Sequence, residues 1–264
     1  MDEKFQFKKK FGQNFLKNEK VLTRIVDVAD IKDESLTIEV GPGSGALTKY
    51  LKEKGKVLCY EIDKTLEDIL MRNFGEEKNV SIYFGDFLKQ DIKEDLKDFI
   101  YKHLYFVSNV PYYITTPILF KLINSTLYFD KIVMMVQKEV GERFTSPVGK
   151  KEYGALTVLL RYYFETKKEF LVNREEFIPK PNVDSVVVSF KPRREKEELL
   201  SEEFFQQLVH DSFQFKRKTL RNNLKKYDLN IVSKVLEKYN LDLSVRAEQL
   251  EYNIFVDLAN NLCK

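Results

Sequence analysis

Three closely spaced glycines could bring the backbone of this chain within reach of an anionic ligand. Gly41, Gly43 and Gly45 stand in the sequence IEVGPGSGALT (38–48), after an apolar run and before a helical pattern. Glycine permits a tight turn and a close approach to a ligand, and the free N–H groups at the start of a helix attract negative charge. The pattern therefore favours a nucleotide-binding loop between a strand and a helix.

Two carboxylates stand where the next two apolar runs end. Glu61 follows Gly41 by twenty residues, at a position where a carboxylate can accept hydrogen bonds from both hydroxyls of a ribose. Asp86, in the sequence GDF, could accept from an adenine amino group. The glycines and the two acids together predict a ligand that contains adenosine. Because Gly41, Gly43 and Ala46 also satisfy the dinucleotide fingerprint, a nicotinamide-dependent dehydrogenase is an alternative.

The sequence Asn109-Val110-Pro111-Tyr112-Tyr113 suits the transfer of a methyl group to an exocyclic amine. Such a nitrogen is a poor nucleophile, because its lone pair is delocalised into the base. The side-chain oxygen of Asn109 and the backbone carbonyl of Pro111 could hold its two N–H groups, so that the lone pair localises. The Tyr112 ring offers a face for an unstacked base. Methyl transfer is therefore favoured over dehydrogenation, although Asn and Pro are also ordinary turn residues.

A later loop offers a second aromatic ring. The sequence FIPKPNVDS (177–185) contains two prolines, which stiffen the approach to the last predicted strand. Phe177 could close over the face of a base opposite Tyr112. The alternative is a core aromatic residue that is held in place by a proline-rich loop.

The composition excludes several other classes of protein. The chain has 264 residues, of which 43% are hydrophobic and 32% charged, enough for a sizeable core. Its two cysteines rule out a disulfide scaffold, and its two isolated histidines leave no histidine-based metal site. No apolar run approaches the roughly 20 residues that span a bilayer, and no apolar segment follows the N-terminal charges. We therefore expect a cytoplasmic protein that binds neither a metal nor a membrane.

Positive charge is concentrated in two stretches of a nearly neutral chain. The net charge is +3, but residues 4–20 carry six lysines against one glutamate, and residues 213–226 (FQFKRKTLRNNLKK) carry six cations and no acid. Such clusters suit a phosphate backbone, although one cluster alone is more often a solvated face. We assign phosphate contacts to four side chains of the second stretch: Lys216, Arg217, Lys218 and Arg221.

The apolar patterns predict alternating strands and helices in the N-terminal part. Strands are predicted at 36–40, 56–62, 79–84, 104–110 and 131–137, helices at 21–30, 45–54 and 65–74, and a strand pair at 170–172 and 183–190. A further helix should begin with Thr116 as its cap and Pro117 as its first residue. This alternation is typical of a parallel sheet with helices on both faces. The first and fourth strands then lie side by side, so the glycine loop should face the NVPYY loop.

A charged, apolar-poor segment, KPRREKEE (191–198), precedes a different pattern. Helices are predicted beyond it at 201–213, 217–226, 231–239 and 248–262, with no strand among them. We therefore predict an α/β domain over residues 1–190 and a small all-α domain over residues 191–264.

The motifs, taken in order, resemble those of the ribosomal RNA adenine dimethyltransferases, and in particular the KsgA type that modifies small-subunit rRNA. The resemblance runs nearly end to end, through KKFGQNFL (9–16), EVGPGSGALT (39–48), EID (61–63), GDF (85–87), NVPYYITTPILF (109–120), VQKEVGERF (136–144), YGALTVLLRYY (153–163), FIPKPNVDS (177–185), FKRKTLRNNL (215–224) and RAEQL (246–250). Val110 is a small departure, since the family usually has Leu or Ile there.

The resemblance implies a Rossmann-like fold and S-adenosyl-L-methionine as the methyl donor. It implies that Asn14 and Leu16 line the cofactor pocket together with Gly41. It also implies that Glu61 holds the ribose and Asp86 the adenine end of the cofactor.

The same resemblance implies two successive methyl transfers to the N6 of adenines in a small-subunit rRNA hairpin loop. Asn109 and the Pro111 carbonyl would orient the amine, and Tyr112 and Phe177 would sandwich the base. The Erm-type enzymes of this family methylate large-subunit rRNA and differ little in the catalytic domain, but the C-terminal motifs favour the KsgA type.

Two expectations concern the partners of the chain. A ribosome-assembly factor, whose binding matters more than its chemistry, is a second class of function, and the intact NVPYY loop favours retained catalysis. We expect a monomer, because a small cofactor pocket and a large RNA surface suit a single chain that works on a large partner.

Overall fold

A computed structural model of the chain describes residues Phe15–Cys263. The strands are β1 (Phe15–Leu16), β2 (Ser35–Val40), β3 (Lys56–Glu61), β4 (Val80–Phe84), β5 (His103–Asn109), β6 (Lys131–Gln137), β7 (Phe164–Val172), β8 (Phe177–Ile178) and β9 (Ser185–Pro192). The helices are α1 (Glu19–Ala29), α2 (Thr48–Leu51), α3 (Glu67–Phe74), α4 (Ile92–Leu96), α5 (Thr115–Asn124), α6 (Lys138–Phe144), α7 (Ala155–Tyr163), α8 (Glu202–Ser212), α9 (Leu220–Asn223), α10 (Leu229–Glu237) and α11 (Tyr252–Leu262).

The large sheet is built from near-continuous apolar runs. Its seven strands lie in the order β4-β3-β2-β5-β6-β9-β7, and the five strands from β4 to β6 are parallel. Strands β2, β5 and β6 are buried along almost their whole length, because the central strands of a parallel sheet are covered on both faces. Strand β9 runs antiparallel to β6. The predicted α/β class with a parallel sheet is confirmed.

Strand β2 lies between β3 and β5, where the strand order reverses. Its register with β5 places Ile38 opposite Phe106. The two strands therefore end side by side, and the Ser108 hydroxyl donates a hydrogen bond to the Val40 carbonyl at 2.6 Å. These are the first and fourth strands that the sequence predicts, at 36–40 and 104–110, and their predicted pairing is confirmed. The pairing puts the glycine loop beside the NVPYY loop.

Helix α1 connects the short β1 strand to the large sheet. Asn18 caps the helix, and its Oδ1 accepts a hydrogen bond from the N–H of Lys20 at 2.9 Å. The Asn18 Nδ2 also donates to the Glu176 carboxylate at 2.8 Å, next to β8, which pairs with β1. One apolar face of the helix enters the core through Leu22, Ile25, Val26 and Ala29.

Several predicted helix boundaries are wrong. The helix predicted at 45–54 is regular only over α2, and the one predicted to start at Pro117 begins at Thr115. Proline is tolerated anywhere in the first helical turn, because those N–H groups have no partner within the helix. The helix predicted at 217–226 is reduced to α9. The sequence analysis did not predict α4, α6 and α7.

The chain divides into two compact units. The first contains the described residues up to Gly141 together with Lys167–Pro192, and the second contains Glu142–Thr166 and the described residues from Arg193 onward. The chain leaves the first unit for the last time after Pro192, next to the boundary that the sequence predicts at residue 190. The prediction does not include the segment Glu142–Thr166 in the second unit.

The second unit is a group of packed helices. The rings of Tyr162 on α7 and Phe205 on α8 lie 5.0 Å apart between centroids. The hydroxyl of the fully buried Tyr153 donates to the Leu250 carbonyl at 2.8 Å, which fixes the start of α7 near the start of α11. Across residues 15–263, every helix falls short of the length and apolar character that a membrane crossing needs.

Candidate active site

Residues at the carboxyl ends of four parallel strands line one cavity in the first unit. This edge of an open α/β sheet, at the reversal of the strand order, is where such folds bind ligands. The structure brings eight of the predicted site residues together there: Leu16, Gly41, Gly43, Glu61, Asp86, Asn109, Pro111 and Tyr112.

The glycine loop presents its backbone to this cavity. Gly41 and Gly43 have φ values of 74° and 62°, in the left-handed region that favours glycine. The N–H of Gly41 donates to the Tyr60 carbonyl at 2.8 Å, which ties the loop to the end of β3. A Cβ atom at Gly43 would lie 2.6 Å from Cε1 of Phe15. Both the conformation and the available space therefore require glycine at position 43.

The Glu61 carboxylate is oriented by the loop that it contacts. Its Oε2 accepts a hydrogen bond from the N–H of Gly43 at 3.1 Å, and its Oε1 accepts from the N–H of Asp63 at 2.8 Å. Glu61 is only 4% exposed. Burial raises the pKa of its carboxyl group, and the backbone hydrogen bonds oppose part of that rise. Each oxygen keeps acceptor capacity, so the carboxylate is a fixed acceptor for a pair of hydroxyls.

Asp86 is a half-buried residue that caps the short 3₁₀ helix Phe87–Lys89. Its Oδ1 accepts a hydrogen bond from the N–H of Leu88 at 3.0 Å. This bond fixes the side chain and uses one oxygen, so that the other can accept from a ligand in the cavity. Tyr113 lines the same cavity and is 56% exposed. Partial burial, and then the charges of Asp86 and Glu61, raise the pKa of its hydroxyl.

The loop after β5 presents an amide and a carbonyl to the cavity. Asn109 ends the strand, and the next residue, Val110, is 1% exposed and anchors the loop in the core. The Pro111 carbonyl accepts a hydrogen bond from the N–H of Ile114 at 3.1 Å, which leaves one lone pair for a further donor. A Cβ atom at Gly41 would lie 3.4 Å from Cδ of Pro111, which measures how closely the two loops approach.

Tyr112 joins this loop to the proline-rich loop. Its hydroxyl lies 2.7 Å from the hydroxyl of Ser185, the first residue of β9, which is completely buried. Burial raises the pKa of the Tyr112 hydroxyl, so the group is neutral at physiological pH. The bond holds the half-buried ring at the cavity.

Phe177 does not line the cavity. It is 2% exposed and belongs to the hydrophobic core with Val172 and Val187. The pairing of β1 with β8 places it opposite Leu16, which does line the cavity. In this structure Phe177 is thus the core aromatic residue of the alternative interpretation, and its ring is not part of the cavity lining. The predicted cofactor contact Asn14 lies outside the described residues.

A buried acid that the sequence analysis did not single out also lines the cavity. Glu39, in β2, is 1% exposed, and its Oε2 accepts hydrogen bonds from the Thr48 hydroxyl at 2.7 Å and the Cys59 thiol at 3.7 Å. Burial raises the pKa of Glu39 to about 7, against the lowering effect of these two bonds. The available signal is a glutamate within the predicted strand LTIEV (36–40), directly before the glycine loop.

The four cations predicted to contact phosphate lie in the second unit. Lys216, Arg217 and Lys218 are exposed in the loop between α8 and α9, and Arg221 is exposed in α9. The Nζ of Lys216 donates to the carbonyl of Lys151 at 2.7 Å. The structure therefore adds a second lysine-bearing segment to the predicted basic surface.

The chemistry of the cavity suits a cofactor that contains adenosine. It combines a fixed carboxylate at Glu61, a second acid at Asp86 and a backbone cradle that a side chain at Gly43 would fill. Over the described part of the chain, no three side chains of His, Cys, Asp or Glu gather as a metal site would require. The fold and the site define a protein of the Rossmann-like class whose cavity is built for a cofactor that contains adenosine.

Comparison with known proteins places the chain within that class. The sequence model of the ribosomal RNA adenine dimethylase family matches residues 4–264. The chain belongs to this family, as the resemblance of its motifs predicts. Membership in a family of methyltransferases removes the dehydrogenase alternative.

Relatives and solved structures agree with this assignment. The proteins named ribosomal RNA small subunit methyltransferase A of Lactococcus lactis and of Bacillus mycoides are both 41% identical to the chain, over 98% of its length and 90% and 92% of theirs. A dimethyladenosine transferase from Plasmodium falciparum has a TM-score of 0.78 at 28% identity, over 92% of this chain and 95% of its own. The 23S rRNA methyltransferase ErmE has a TM-score of 0.76 at 25% identity, over 95% and 100%.

Proposed function

We propose that the chain dimethylates the N6 amines of adjacent adenines in a hairpin loop of small-subunit (16S) rRNA, with S-adenosylmethionine as donor, and so takes part in small-subunit biogenesis. The observation that carries this proposal is the single cavity in which the glycine loop and Glu61 meet the loop from Asn109 to Tyr112. Two relatives at 41% identity are named for the small subunit, which supports that substrate over large-subunit rRNA.

Bound in the cavity, S-adenosylmethionine would supply an electrophilic methyl group. Glu61 would accept hydrogen bonds from the ribose hydroxyls, because its carboxylate is already oriented by the N–H groups of Gly43 and Asp63. Asp86 would accept from the adenine amino group through the oxygen that does not cap the 3₁₀ helix. Leu16 would contribute apolar contact from the cavity wall.

Asn109 and Pro111 would hold the amine that receives the methyl group. The N6 atom of adenine carries two N–H groups, and the Asn109 side-chain oxygen and the remaining lone pair of the Pro111 carbonyl supply two acceptors. Held in this way, the nitrogen lone pair is drawn out of conjugation with the ring. The proton that the methylated nitrogen loses passes to solvent, since such a nitrogen is strongly acidic. One N–H group remains for the second transfer, and one acceptor then suffices.

The Tyr112 ring would support the target base by stacking. Its hydroxyl is tied to Ser185, so the position of the ring at the cavity is held before the base enters. Phe177 is 2% exposed in this structure, so its ring cannot stack on a base where it lies now. We propose that it covers the face of the base opposite Tyr112 only in a substrate-bound form in which the ring has left the core.

The exposed cations Lys216, Arg217, Lys218 and Arg221 would bind phosphates of the same ribosomal subunit. We further propose that the chain acts as a monomer in the cytoplasm. Two free cysteines, Cys59 and Cys263, suit a reducing compartment.

The test is methyl transfer from labelled S-adenosylmethionine to small and large ribosomal subunits from cells that lack the modification. Nucleoside mass spectrometry then identifies the product. Dimethyladenosine in small-subunit RNA alone is the expected result. Dimethyladenosine in large-subunit RNA would overturn the choice of substrate, and no transfer to either subunit would favour an assembly factor without catalysis.

A further inference from the structure

Phe215 is an exposed aromatic ring in the loop between α8 and α9. It is 54% exposed, whereas Phe213, two residues earlier, packs against Tyr153 and Phe255 with ring centroids 6.2 Å and 5.8 Å apart. The loop thus uses one ring to anchor itself in the core of the second unit and presents the other to solvent. The exposed part of the Phe215 ring gains no burial energy within the fold, so any contribution from that part depends on a partner.

A buried side chain fixes the backbone on both sides of this ring. Asn223 is 6% exposed, and its Oδ1 accepts a hydrogen bond from the N–H of Phe215 at 3.0 Å. Its Nδ2 donates to the carbonyls of Phe215 at 3.3 Å and Ser212 at 2.8 Å. The Phe215 carbonyl also accepts from the N–H of Lys218 at 2.9 Å. The backbone that carries the ring is therefore ordered before any partner binds, which reduces the entropy lost on binding.

Exposed cations adjoin the ring from two segments of the second unit. Lys216, Arg217 and Lys218 follow it directly, and the hydrogen bond of Lys216 to the Lys151 carbonyl brings the Lys150–Lys151 segment beside them. Within the described residues, neither Arg217 nor Lys218 pairs with a carboxylate. An exposed aromatic ring on an ordered backbone, next to exposed cations, is complementary to a polyanion that offers planar faces.

We propose that Phe215 is a stacking platform for an unpaired RNA base, with the flanking lysines and Arg217 holding the phosphates on either side. This inference rests on the proposed function, because it takes ribosomal RNA as the polyanion. A base within a duplex has both faces covered by its neighbours, so the platform selects a single-stranded or bulged nucleotide. The platform would act in substrate binding and would take no part in the methyl transfer itself.

Binding of unmodified small subunits, measured at several salt concentrations, tests the platform. Phe215→Ala should weaken binding about 5- to 100-fold and leave the slope of log K against log salt unchanged, because stacking releases no counterions. Phe215→Tyr keeps an aromatic face and should bind like the unaltered chain. Phe215→Leu keeps apolar area without such a face and should bind nearly as weakly as Phe215→Ala. The matched control is Tyr128→Ala, which removes a ring that is 63% exposed in the first unit.

Two outcomes would overturn the inference. Wild-type binding by Phe215→Ala would mean that the ring makes no contact. Wild-type binding by Phe215→Leu would mean that it makes an ordinary apolar contact, as with a ribosomal protein.

Fluorescence gives a direct readout of the stacked state. The chain contains no tryptophan, so Phe215→Trp introduces a single indole fluorophore. Stacking on a base should quench its emission when small subunits or their isolated RNA are added, after correction with a free tryptophan derivative. Unchanged emission would mean that the ring makes no contact. A blue shift without quenching, seen with intact subunits but not with their isolated RNA, would mean a contact with protein. Either result would overturn the inference.

The unaltered chain separates this inference from the proposed function. If it transfers no methyl group to unmodified small subunits, the proposed function fails whatever the Phe215 variants do. If it does transfer methyl groups, and Phe215→Ala shows an unchanged KM for the subunit, only the stacking platform fails. We expect active unaltered chain and a raised KM for Phe215→Ala.

Discussion

The hydroxyl groups of Tyr112 and Ser185 lie 2.7 Å apart and join two loops that are 73 residues apart in the sequence. Tyr112 belongs to the loop after β5, and Ser185 begins the antiparallel strand β9. The position of the ring on which a target base would stack is therefore held by a residue outside the loop that would hold the amine. This relationship links the two motifs at one side of the cavity.

Removing either hydroxyl should affect stability differently, although the same hydrogen bond is lost. In Tyr112→Phe the Ser185 hydroxyl stays completely buried without its partner, and we expect a loss of about 1–3 kcal/mol in the free energy of unfolding. In Ser185→Ala the hydroxyl that loses its partner belongs to Tyr112, which is only half-buried, and we expect a smaller loss, of about 1 kcal/mol. Urea denaturation measures both. A larger loss of stability for Ser185→Ala than for Tyr112→Phe would contradict the assigned burial. Both variants should slow methylation only several-fold, because the aromatic ring at position 112 remains.

The parts of the site that the sequence predicts correctly lie at strand ends. An apolar run that stops at Glu61 or Asn109 marks the end of a buried strand, and parallel strands bring their carboxyl ends to one edge of the sheet. The glycine loop could be placed beside Asn109 for the same reason. These inferences need only local patterns and one topological rule.

The burial of Phe177 and the surroundings of Glu39 could not be predicted from local sequence patterns. The burial of Phe177 follows from the pairing of β1 with β8, and strands of two residues leave no periodic signal. The setting of Glu39 depends on Thr48 in the next helix and Cys59 in the neighbouring strand. The membership of Glu142–Thr166 in the second unit likewise depends on long-range contacts, among them the packing of α7 on α8 and α11 and the bond from the Tyr153 hydroxyl to the Leu250 carbonyl.

A side chain at Gly43 should damage both the fold and the cofactor site. Gly43→Ala forces a Cβ atom to within 2.6 Å of Phe15 at a φ of 62°. Gly149→Ala is the matched control, because Gly149 has a φ of 81° and no atom within 4 Å of the added Cβ. The control should lose only the left-handed backbone cost of about 1–2 kcal/mol and keep cofactor affinity.

For Gly43→Ala we expect a greater loss of stability than the control shows, and an affinity for S-adenosylhomocysteine at least about tenfold weaker, equal to about 1.4 kcal/mol. Urea denaturation and titration calorimetry supply the two numbers. Equal behaviour of the two variants would show that the clash at Gly43 is relieved without cost.

Stability should fall as the pH rises towards neutrality, because of Glu39. Its pKa is about 7 in the folded chain, against an ordinary value of 4.5. Between pH 4.5 and about pH 7 the folded state holds a proton on Glu39 that the unfolded state lacks. The contribution of this proton to the free energy of unfolding is therefore complete below pH 4.5 and is lost as the pH rises to about 7. The shift corresponds to roughly 3 kcal/mol. Burial also raises the pKa of Glu61, which acts in the same direction.

Glu39→Gln removes the titrating group and should flatten this decline. The check is the free energy of unfolding between about pH 5 and pH 8, where the linkage acts. Glu53→Gln, at a side chain that is 70% exposed, should keep the slope of the unaltered chain. Parallel curves for the unaltered chain and Glu39→Gln would contradict the raised pKa.

Asn109→Ala should slow methylation about 100-fold or more and spare RNA binding. The variant removes a proposed acceptor for the target amine, and loss of orientation at a reacting atom costs about 100-fold or more in rate. Asn124→Ala removes the same side chain from an exposed position at the end of α5 and should keep full activity. Single-turnover methylation and filter binding of small subunits separate the two effects. Equal losses of binding and methylation in Asn109→Ala would refute the assigned role.

The four exposed cations between residues 216 and 221 should contribute to RNA binding in proportion to the part of their charge that no carboxylate of the described chain neutralises. Replacing Lys216, Arg217, Lys218 and Arg221 by Ala should weaken binding and reduce the slope of log K against log salt by about 3, since each phosphate contact contributes about 0.7–0.9.

Lys226 offers a control within the same stretch of sequence. Its Nζ lies 2.8 Å from the carboxylate of the buried Asp211, so its charge is already neutralised. Lys226→Ala should therefore leave the salt slope unchanged and lower the free energy of unfolding, because Asp211 loses its cation in a buried setting. Arg217→Ala should do the reverse, with a slope smaller by about one and an unchanged stability. If both variants lowered the slope equally, exposure rather than unpaired charge would determine which cations meet the RNA.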